Sequence, residues 1–412
     1  MNPIYNAFVY VVWFITTYYL VFFSLALLTK KDFLYEKRKN KTNYKPLITL
    51  LVPAYNEESK IAETIDSLKK INYDLLEFII INDGSKDHTS KVVNKNIKGD
   101  KRFRFIDRKT NKGKAASLNE GIEEAKGELI GTMDADSVVE ENIFDKVLPY
   151  FADRKVGSVT VSVEIKNPKK FLHRIIDLEF IIGLSLFLKA LSWLNAVFVT
   201  PGPFSVYRKS VLQEIGGFDE DNITEDLEVA YRIHKGGYKI ENCMEGRVKT
   251  IAPETFKEIY VQRRRWYSGA IQTLMKHKKM LFKKKFGAFG FVMPYNYILI
   301  FLGLTLFLAS MYLGLSNSLD GLLHFQYTNF NFFERMFDWE FDILAMGRVS
   351  IIGMTSFIAG IGIMILGLIL SKKKMRTKKL GIIGYPLLFF LYQIFWIGAI
   401  ISVIRGKKVK WR

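Results

Sequence analysis

Hydrophobic positions form two kinds of pattern along the chain, and the two kinds occupy different regions. Near the amino terminus and again after residue 288, apolar stretches without any charged residue extend far enough to cross a bilayer. Between about Thr42 and Lys283, short apolar runs alternate with segments in which apolar residues recur every three or four positions. The first pattern is typical of membrane-spanning helices, and the second predicts strands alternating with amphipathic helices.

Four apolar segments are candidates for membrane-spanning helices, since a crossing takes about 20 residues. They are Ile4–Leu28, Phe289–Leu315, Val349–Leu370 and Gly381–Ile404. The first has neither the basic start nor the small-residue cleavage site of a signal peptide, so it is predicted to be an anchor. The predicted organisation is an N-terminal transmembrane helix (1–30), an inserted domain (42–283) and a C-terminal transmembrane region (284–412).

Basic residues cluster beside the apolar segments and account for much of the net charge of +19. The clusters are Lys30–Lys31, Lys276–Lys285, Ser371–Lys379 and Arg405–Arg412. By the positive-inside rule they predict a multi-pass protein of the cell membrane with a cytosolic inserted domain, and they count against nucleic-acid binding. The acidic segment Ser316–Arg348 suits the opposite side. Whether Gly381–Ile404 crosses fully or re-enters near Pro386 stays open, and with it the side on which the C-terminus lies.

The stretch Phe171–Phe198 is also apolar, but it contains Arg174, Asp177, Glu179 and Lys189. Charged side chains are costly in the middle of a bilayer. An amphipathic helix lying at the membrane interface is therefore predicted in place of a further span.

The inserted domain alternates strand-like runs with helical patterns. Predicted strands are Ile48–Ala54, Leu76–Ile81, Phe103–Ile106 and Leu129–Met133. Predicted helices are Glu58–Lys70, Lys86–Ile97 and Lys114–Lys126. Strands separated by helices indicate an α/β domain with a mainly parallel sheet that helices cover on both faces.

Polar residues follow three of these strands, at the ends where parallel sheets bind ligands. They occupy positions 53–57, 82–85 and 134–136. The second cluster, Asn-Asp-Gly-Ser, is by itself also an ordinary turn. Three polar clusters at one edge of a sheet together indicate a ligand site.

Asp134 and Asp136 lie two positions apart, so in extended chain their carboxylates point the same way. Two carboxylates on one face repel unless a cation lies between them, and hard divalent ions prefer oxygen ligands. An isolated Asp-x-Asp is weak evidence, but its position at the end of a buried strand strengthens it. The pair is therefore predicted to bind Mg²⁺ or Mn²⁺.

Two later motifs, Thr224–Asp226 and Gln262–Trp266, each have two interpretations. Acidic residues that begin a helix are commonly caps, and three arginines in a row are commonly a solvated or membrane-facing surface. An arginine–tryptophan pair can also hold a phosphate and stack on a ring. Alone, neither motif distinguishes these alternatives.

Taken in order, these residues resemble the family 2 glycosyltransferases with a nucleotide-sugar-binding GT-A domain. They look in particular like the membrane-embedded synthases of cellulose, hyaluronan, chitin and poly-N-acetylglucosamine. The resemblance covers about Ile48–Ala270 and implies a Rossmann-like GT-A fold. It is carried by Asp83, Asp134, Asp136, Thr224–Asp226 and Gln262-x-x-Arg265-Trp266.

The resemblance also implies a role for each of these residues. The implied nucleotide-sugar pocket consists of Ala54, Tyr55, Glu57, Asp83, Lys114 and Asp134, with Asp136 as metal ligand. Asp226 is implied to be the general base, with Glu225 beside it. The implied ligands of the acceptor and the diphosphate are Gly202, Gln262, Arg265 and Trp266. Pro201 stands where related synthases often have Ser or Cys, so the acceptor pocket differs there.

The implied activity is an inverting transfer from a nucleotide sugar, with a UDP-sugar as the first candidate, to a growing polysaccharide that the protein also exports. Such an enzyme is a hexosyltransferase or N-acetylhexosaminyltransferase that works at a lipid bilayer, and an accessory membrane subunit would complete a polymer channel. One alternative is the transfer of a single sugar to a polyprenyl or other lipid acceptor. A non-catalytic nucleotide-sugar sensor or transport component is a further alternative, against which the intact set of carboxylates counts. The sugar, the nucleotide and the oligomeric state cannot be read from these motifs.

Overall fold

The computed structural model describes residues 3–29, 44–327, 348–370 and 379–406. Its strands are β1 (Ile48–Ala54), β2 (Leu76–Asp83), β3 (Phe103–Arg108), β4 (Leu129–Thr132), β5 (Val138–Val139), β6 (Val156–Ile165), β7 (Ser205–Arg208) and β8 (Lys239–Thr250).

The α-helices of the inserted region alternate with these strands. They are α2 (Ile61–Lys69), α3 (Thr89–Ile97), α4 (Lys114–Glu124), α5 (Ile143–Val147), α6 (Phe171–Phe180), α7 (Leu188–Trp193), α8 (Lys209–Glu214), α9 (Glu225–Lys235) and α10 (Phe256–Lys276). The apolar segments form α1 (Pro3–Thr29), α11 (Phe289–Tyr327), α12 (Arg348–Leu370) and α13 (Lys379–Ile404). A π-helical segment, Ile181–Phe187, joins α6 to α7.

The strands form one sheet in the order β3-β2-β1-β4-β7-β6-β8-β5. The first four pair in parallel, whereas β7 is antiparallel to both β4 and β6, and β5 is antiparallel to β8. The predicted α/β class is confirmed, and the predicted parallel sheet holds for β1 to β4. The sheet as a whole is mixed, because β7 begins at Ser205, opposite the last residue of β4, and so returns from the edge at which β4 ends.

The centre of the sheet is apolar on both faces. Every residue of β1 and β2 is buried, as expected for parallel strands that helices cover on each side. Leu50 and Val52 pack in one core cluster with Ile61 of α2. Leu51 points to the other face, where a side chain at Gly121 of α4 would lie only 2.9 Å from it. This close helix packing fixes where the strands end, and therefore where the loops of the site begin.

The segment from α6 to α7 packs on the sheet. Asp177 accepts a hydrogen bond from the backbone N–H of Ile165 at 3.0 Å, and Ser192 donates to Glu241 at 2.6 Å. Helix α13 covers α6 closely, since a Cβ at Gly381 would lie 2.7 Å from the carbonyl oxygen of Arg174. Much of the apolar surface of this segment is thus covered by protein, and its predicted position at a membrane interface stays a prediction.

The chain divides into two compact units. Residues 1–28 and 295–366 form one, in which Tyr19 Oη donates to Asn296 Oδ1 at 2.9 Å and the ring of Tyr18 meets that of Tyr295 edge-on at 5.1 Å. Residues 29–294 and 367–412 form the other, which contains the sheet together with α13. The last hydrophobic helix therefore packs with the sheet-containing unit.

Among the described residues, one helical stretch, Phe289–Ala309, is long and apolar enough to cross a membrane. Shorter apolar helical stretches lie at Val9–Phe22, Phe357–Leu366 and Leu391–Ile404. The further spans and the cytosolic orientation stay predictions. The basic runs at 30–31, 371–378 and 407–412 and the acidic residues at 328–347 lie outside the described residues.

Candidate active site

Loops from four strands meet at one edge of the sheet. The backbone N–H of Asn56, after β1, donates to Ser85 Oγ, after β2, at 2.9 Å. Asn56 Oδ1 in turn accepts from the backbone N–H of Lys86 at 2.8 Å, so these two loops are joined. Because β7 starts opposite the end of β4, the loop before β7 lies at the same edge. The topology thus brings the three polar clusters of the sequence together.

The loop after β1 contains the residues predicted to line a nucleotide pocket. Ala54 and Glu57 are buried, and Tyr55 is partly exposed. The backbone N–H of Glu57 donates to Thr89 Oγ1 of α3 at 2.8 Å, and its carboxylate lies 3.2 Å from Lys60 Nζ. These contacts fix the loop in place, while the contact of its side chains with a nucleotide stays a prediction.

Asp83, at the end of β2, is buried and organises the loop that precedes α4. Its carboxylate accepts hydrogen bonds from the backbone N–H groups of Lys112 at 2.9 Å and Gly113 at 2.8 Å. Arg108 Nη1 approaches the same carboxylate at 3.1 Å. Asp83 therefore determines where α4, and with it Lys114, begins. Its predicted contact with the base or ribose stays a prediction.

Lys114 lies among three carboxylates. Its Nζ is 2.7 Å from Asp134 Oδ1 and 2.9 Å from Glu225 Oε1, and the charge of Asp226 also acts on it. Burial alone would lower the pKa of Lys114, but the attraction of these carboxylates outweighs it and the pKa is raised. Lys114 is therefore a permanent ammonium ion at neutral pH.

Asp226 is the carboxylate of this cluster with a strongly shifted pKa. It lies in the first turn of α9 and is partly exposed. Burial raises the pKa of Asp226 to about 6, and Glu225 acts in the same direction, while Lys114 and Arg265 oppose both. Thr224 precedes the helix but makes no side-chain capping bond to it. A carboxylate with such a pKa is ionised at pH 7 and still basic enough to accept a proton.

The loop Thr200–Phe204 reaches this cluster from β7. The backbone N–H and the hydroxyl of Thr200 both contact the carbonyl oxygen of Asp226, at 3.0 and 2.8 Å. A Cβ at Gly202 would lie 2.7 Å from Lys114 Nζ and 3.0 Å from Asp134 Oδ2. Only a residue without a side chain allows the loop to approach the cluster so closely.

The turn that follows β4 presents Asp134 and Asp136. Its backbone is held by the hydroxyl of Thr64 in α2, which lies 2.8 Å from the carbonyl oxygens of both Ala135 and Ser137. No group of three or more His, Cys, Asp or Glu side chains able to hold a metal occurs within the described residues. Asp134 is paired with Lys114, and Asp136, which is partly exposed, accepts from the hydroxyls of Ser137 and Thr250 at 3.4 Å. Their role as metal ligands stays a prediction.

Helix α10 contains the run Gln262–Trp266 and packs against the start of α9. A Cβ at Gly269 would lie 2.2 Å from Thr224 Oγ1. Arg265 is close enough to Asp226 to lower the pKa of that carboxyl, which places it at the cluster. The sequence patterns did not identify Arg263 as a residue of interest, because a run of arginines is commonly a solvated surface. In the structure it is 1 % exposed and pairs with Glu179.

Residues 49–216 match a family model described as glycosyl transferase family 2. Over this range, which is less than half of the chain, the protein is similar to the family 2 glycosyltransferases. The predicted resemblance to this family is confirmed. Asp83, Lys114, Asp134, Asp136 and Gly202 lie inside the matched range, whereas Asp226 and α10 follow it.

Curated relatives extend the similarity beyond the family 2 domain. Over 230 residues the chain is 33 % identical to the poly-beta-1,6-N-acetyl-D-glucosamine synthase of Staphylococcus aureus strain COL. It is 32 % identical to the protein of that name from Staphylococcus epidermidis over the same number of residues. Each match covers 56 % of this chain and 56 % of the relative, so the similarity spans about half the length of these proteins.

A solved structure shares the fold of the whole chain. The mannosyltransferase from Pyrobaculum calidifontis, in complex with GDP-Man and Mn²⁺, has a TM-score of 0.60 and 17 % sequence identity. The match covers 98 % of this chain and 100 % of that one. At this identity the likeness shows the fold alone. The region that contains the sheet accordingly has the predicted GT-A-like architecture, with a mixed sheet.

Proposed function

We propose that this protein is an inverting glycosyltransferase that adds N-acetylhexosamine from a UDP-sugar to a growing polysaccharide. The observation that carries the proposal is the position of Asp226, a carboxylate of raised pKa that lies beside Lys114 and Asp134 at the ligand edge of a family 2 domain. The similarity to poly-beta-1,6-N-acetyl-D-glucosamine synthases supports the choice of sugar and of a polymeric acceptor.

In the proposed reaction, Asp226 accepts the proton of an acceptor hydroxyl while the oxygen of that hydroxyl attacks the anomeric carbon of the donor. The new glycosidic C–O bond forms as the bond between that carbon and the diphosphate oxygen breaks. The nucleoside diphosphate leaves from the opposite face, so the anomeric configuration inverts. A positioned general base contributes about 10²–10⁴ to such a rate. Asp226 can supply this because its raised pKa suits proton acceptance near neutral pH.

The donor is proposed to bind along the loops that follow β1 and β2. Tyr55 is the partly exposed ring at this edge, and Ala54 and Glu57 shape the pocket wall. Asp83 fixes the adjoining loop and is the nearest candidate for contact with the base or ribose. Lys114 places a permanent positive charge where a diphosphate would lie.

Asp136 is proposed to hold Mg²⁺ or Mn²⁺ together with the diphosphate of the donor, with Asp134 in support. Such an ion, when bound, stabilises the negative charge that develops on the leaving group. Magnesium is commonly held by one or two carboxylates plus substrate phosphates, so a site without three protein carboxylates is still a suitable one.

The acceptor is proposed to lie between the loop at Gly202 and the face of α10 that carries Gln262, Arg265 and Trp266. Gly202 leaves room next to Lys114, and Arg265 already acts electrostatically on Asp226. An indole ring such as that of Trp266 offers a flat surface for a sugar. Membrane attachment through four hydrophobic segments, a cytosolic site and export of the product complete the proposal, with an accessory subunit supplying more of the channel wall.

Transfer of one sugar to a polyprenyl or other lipid acceptor is the second candidate. The observation that favours it is the small number of apolar helices in the described part of the chain, since α1, α11, α12 and α13 offer little wall for a polymer channel. The two candidates differ in the length of the product.

The deciding experiment incubates the purified protein with a panel of nucleotide sugars and Mg²⁺ or Mn²⁺. Nucleotide release and product length are measured together. The proposal expects UDP release and a polymer from a UDP-N-acetylhexosamine. A single sugar on lipid at every donor concentration would favour the second candidate, and no transfer from any donor would refute both.

The metal is tested separately with Asp136→Ala and with EDTA. Both are expected to abolish transfer, and only the effect of EDTA is expected to be reversed by added Mn²⁺ or Mg²⁺. Full activity in the chelator would show that the carboxylate pair is structural.

A further inference from the structure

Arg263 occupies an unusual environment for the middle of an arginine run. It is 1 % exposed, and its Nη2 lies 2.7 Å from Glu179 Oε2. Burial of a charge is costly unless the charge is paired, and removal of one partner from such a pair is strongly destabilising. The pair joins helices α10 and α6, and the two paired residues are 84 positions apart in sequence.

The guanidinium of Arg263 also lies against two aromatic rings. Its Cζ is 4.0 Å from the centroid of the Trp266 ring and 5.6 Å from that of Phe180. The two rings are themselves 6.2 Å apart. A planar cation close to the face of an indole stabilises one orientation of that ring.

We propose that the pair of buried Arg263 and partly exposed Glu179 is a positioning device that holds the ring of Trp266 for the acceptor sugar. The inference rests on the proposed function, because the acceptor role of Trp266 belongs to it. Arg263 and Glu179 touch neither substrate in this proposal. They act through the indole ring, so their loss affects the capture of the acceptor and leaves the donor site intact.

Helix α6 is a suitable anchor for such a device. Asp177, two residues before Glu179, accepts a hydrogen bond from the backbone of β6 at Ile165. The helix continues directly into the π-helical segment Ile181–Phe187, and such segments are frequent at functional sites. Glu179 therefore lies on a helix that is hydrogen-bonded to the sheet. Its ion pair with Arg263 fixes the position of Trp266 relative to the sheet.

Two variants test the device. Arg263→Lys keeps the charge and can still pair with Glu179, but it loses the planar contact with the indole. Glu179→Gln keeps the shape and an acceptor oxygen for Arg263 but removes the negative charge. Arg104→Lys is the control, because Arg104 of β3 forms its ion pairs with Glu77 of β2 and Glu124 of α4 and none with α10.

The first measurement is the ¹⁹F resonance of Trp266 in protein labelled with fluorotryptophan, assigned by its absence in Trp266→Phe. The second is the amount of sugar transferred per nucleotide released, together with the product length. Both variants are expected to move or broaden the resonance and to lower the transfer ratio about tenfold, with shorter product. Donor affinity is expected to stay within about twofold of the wild-type value, and the control is expected to match the wild type.

An unmoved resonance with a normal transfer ratio in both variants would overturn the proposal. Loss of donor affinity in parallel with transfer would do so as well, because it would mark the pair as a general support of the fold. The resonance needs no activity, so it also separates this inference from the proposed function. A wild type that transfers no sugar would remove the proposed function, whereas the ring position would still be measured.

Discussion

Lys114, Asp134, Glu225 and Asp226 share one small volume, in which the charges of Asp134 and Glu225 act on both Lys114 and Asp226. Three carboxylates surround one ammonium, so the cluster carries excess negative charge. That excess keeps Lys114 protonated, and it adds to the effect of burial, which is the main cause of the raised pKa of Asp226. It also favours the arrival of a divalent cation together with a diphosphate. In the proposed function the same residues supply both the base and the cation site.

Asp226→Asn tests whether this carboxylate accepts the proton. Asparagine keeps the shape and most hydrogen bonds of aspartate but cannot act as a base. Transfer is expected to fall by about 10² or more while donor affinity changes little, as measured by turnover beside nucleotide binding. Asparagine caps helices about as well as aspartate, so near-normal turnover would mean that Asp226 only supports the start of α9.

The acid limb of the pH–rate profile tests the electrostatics of the cluster. Because a general base must be ionised, wild-type kcat/KM is expected to fall as the pH drops through about 6, the pKa of Asp226. Lys114 lowers that pKa, so Lys114→Met is expected to raise it and to shift the acid limb to higher pH. Lys112→Met is the control, since its exposed side chain lies outside the cluster. If the acid limb of Lys114→Met is not shifted, the limb does not report the ionisation of Asp226.

Gly202→Ala tests the close approach of the loop before β7. The added Cβ would meet Lys114 Nζ first, at 2.7 Å, and the end of a flexible side chain can move aside. The chain is therefore expected to fold normally while Lys114 leaves its place, and transfer is expected to fall about 10–100-fold. Gly183→Ala is the control, because nothing lies within 4 Å of its added Cβ. Equal activity of both variants in the transfer assay would contradict the prediction.

At the level of helices, the contact between α9 and α10 brings the proposed base, Asp226, next to the helix proposed to bind the acceptor. Gly269 of α10 faces Thr224, and an added Cβ would lie within 2.8 Å of three atoms of that threonine, its Cβ included. No rotation of the threonine side chain relieves a clash with its own Cβ. The two helices can therefore approach only while position 269 is glycine.

Gly269→Ala is accordingly expected to push α10 away from the start of α9 and to destabilise the protein by about 1–3 kcal/mol. Thermal unfolding followed by circular dichroism measures the loss, and transfer activity is expected to fall with it. Gly303→Ala, where the added Cβ meets nothing within 4 Å, is expected to unfold like the wild type. A variant as stable and active as that control would show that the helices have room to adjust.

A strand or helix could be predicted from the sequence where the residues that determine it are neighbours in the chain. The apolar run Ile48–Ala54 gave the bounds of β1 because its burial follows from its own composition. The helix predicted from Glu58 begins at Ile61, since the residues before it form a turn. Strands β6 to β8 were not predicted, because their place in the sheet depends on pairing with residues that are distant in sequence. Ser205 of β7, for example, pairs with Thr132 of β4.

The same distinction applies to the site. Asp134 and Asp136 could be recognised because they are two positions apart and follow a predicted strand directly in sequence. Arg263 was not, since its burial depends on Glu179 from a distant helix. The ion pair of Lys114 with Glu225 likewise joins residues that no local pattern relates. The sequence predicted which kinds of side chain the site contains. It did not predict which charged groups form ion pairs with one another.

For the molecule as a whole, the predicted topology can be tested with cysteine labelling. Cys243 is buried, so the native thiol interferes little with reagents applied to intact cells. A cysteine introduced at Lys112, near Asp83, is expected to be protected, and one at Asp320 to be labelled. Permeabilised cells should label both positions. Labelling at position 112 from outside would place the donor site away from cytosolic nucleotide sugars and contradict the proposed function.

The packing of α13 against the sheet-containing unit has a consequence for biosynthesis. Ribosomes deliver Lys379–Ile404 after every strand of the sheet has emerged, yet Gly381 and Gly384 lie against α6 and Tyr267 of α10 stacks on Trp396 at 4.3 Å. Until that helix arrives, the faces of α6 and α10 have no cover. We therefore expect a product truncated before Lys379 to expose this surface and to aggregate more readily than the full chain.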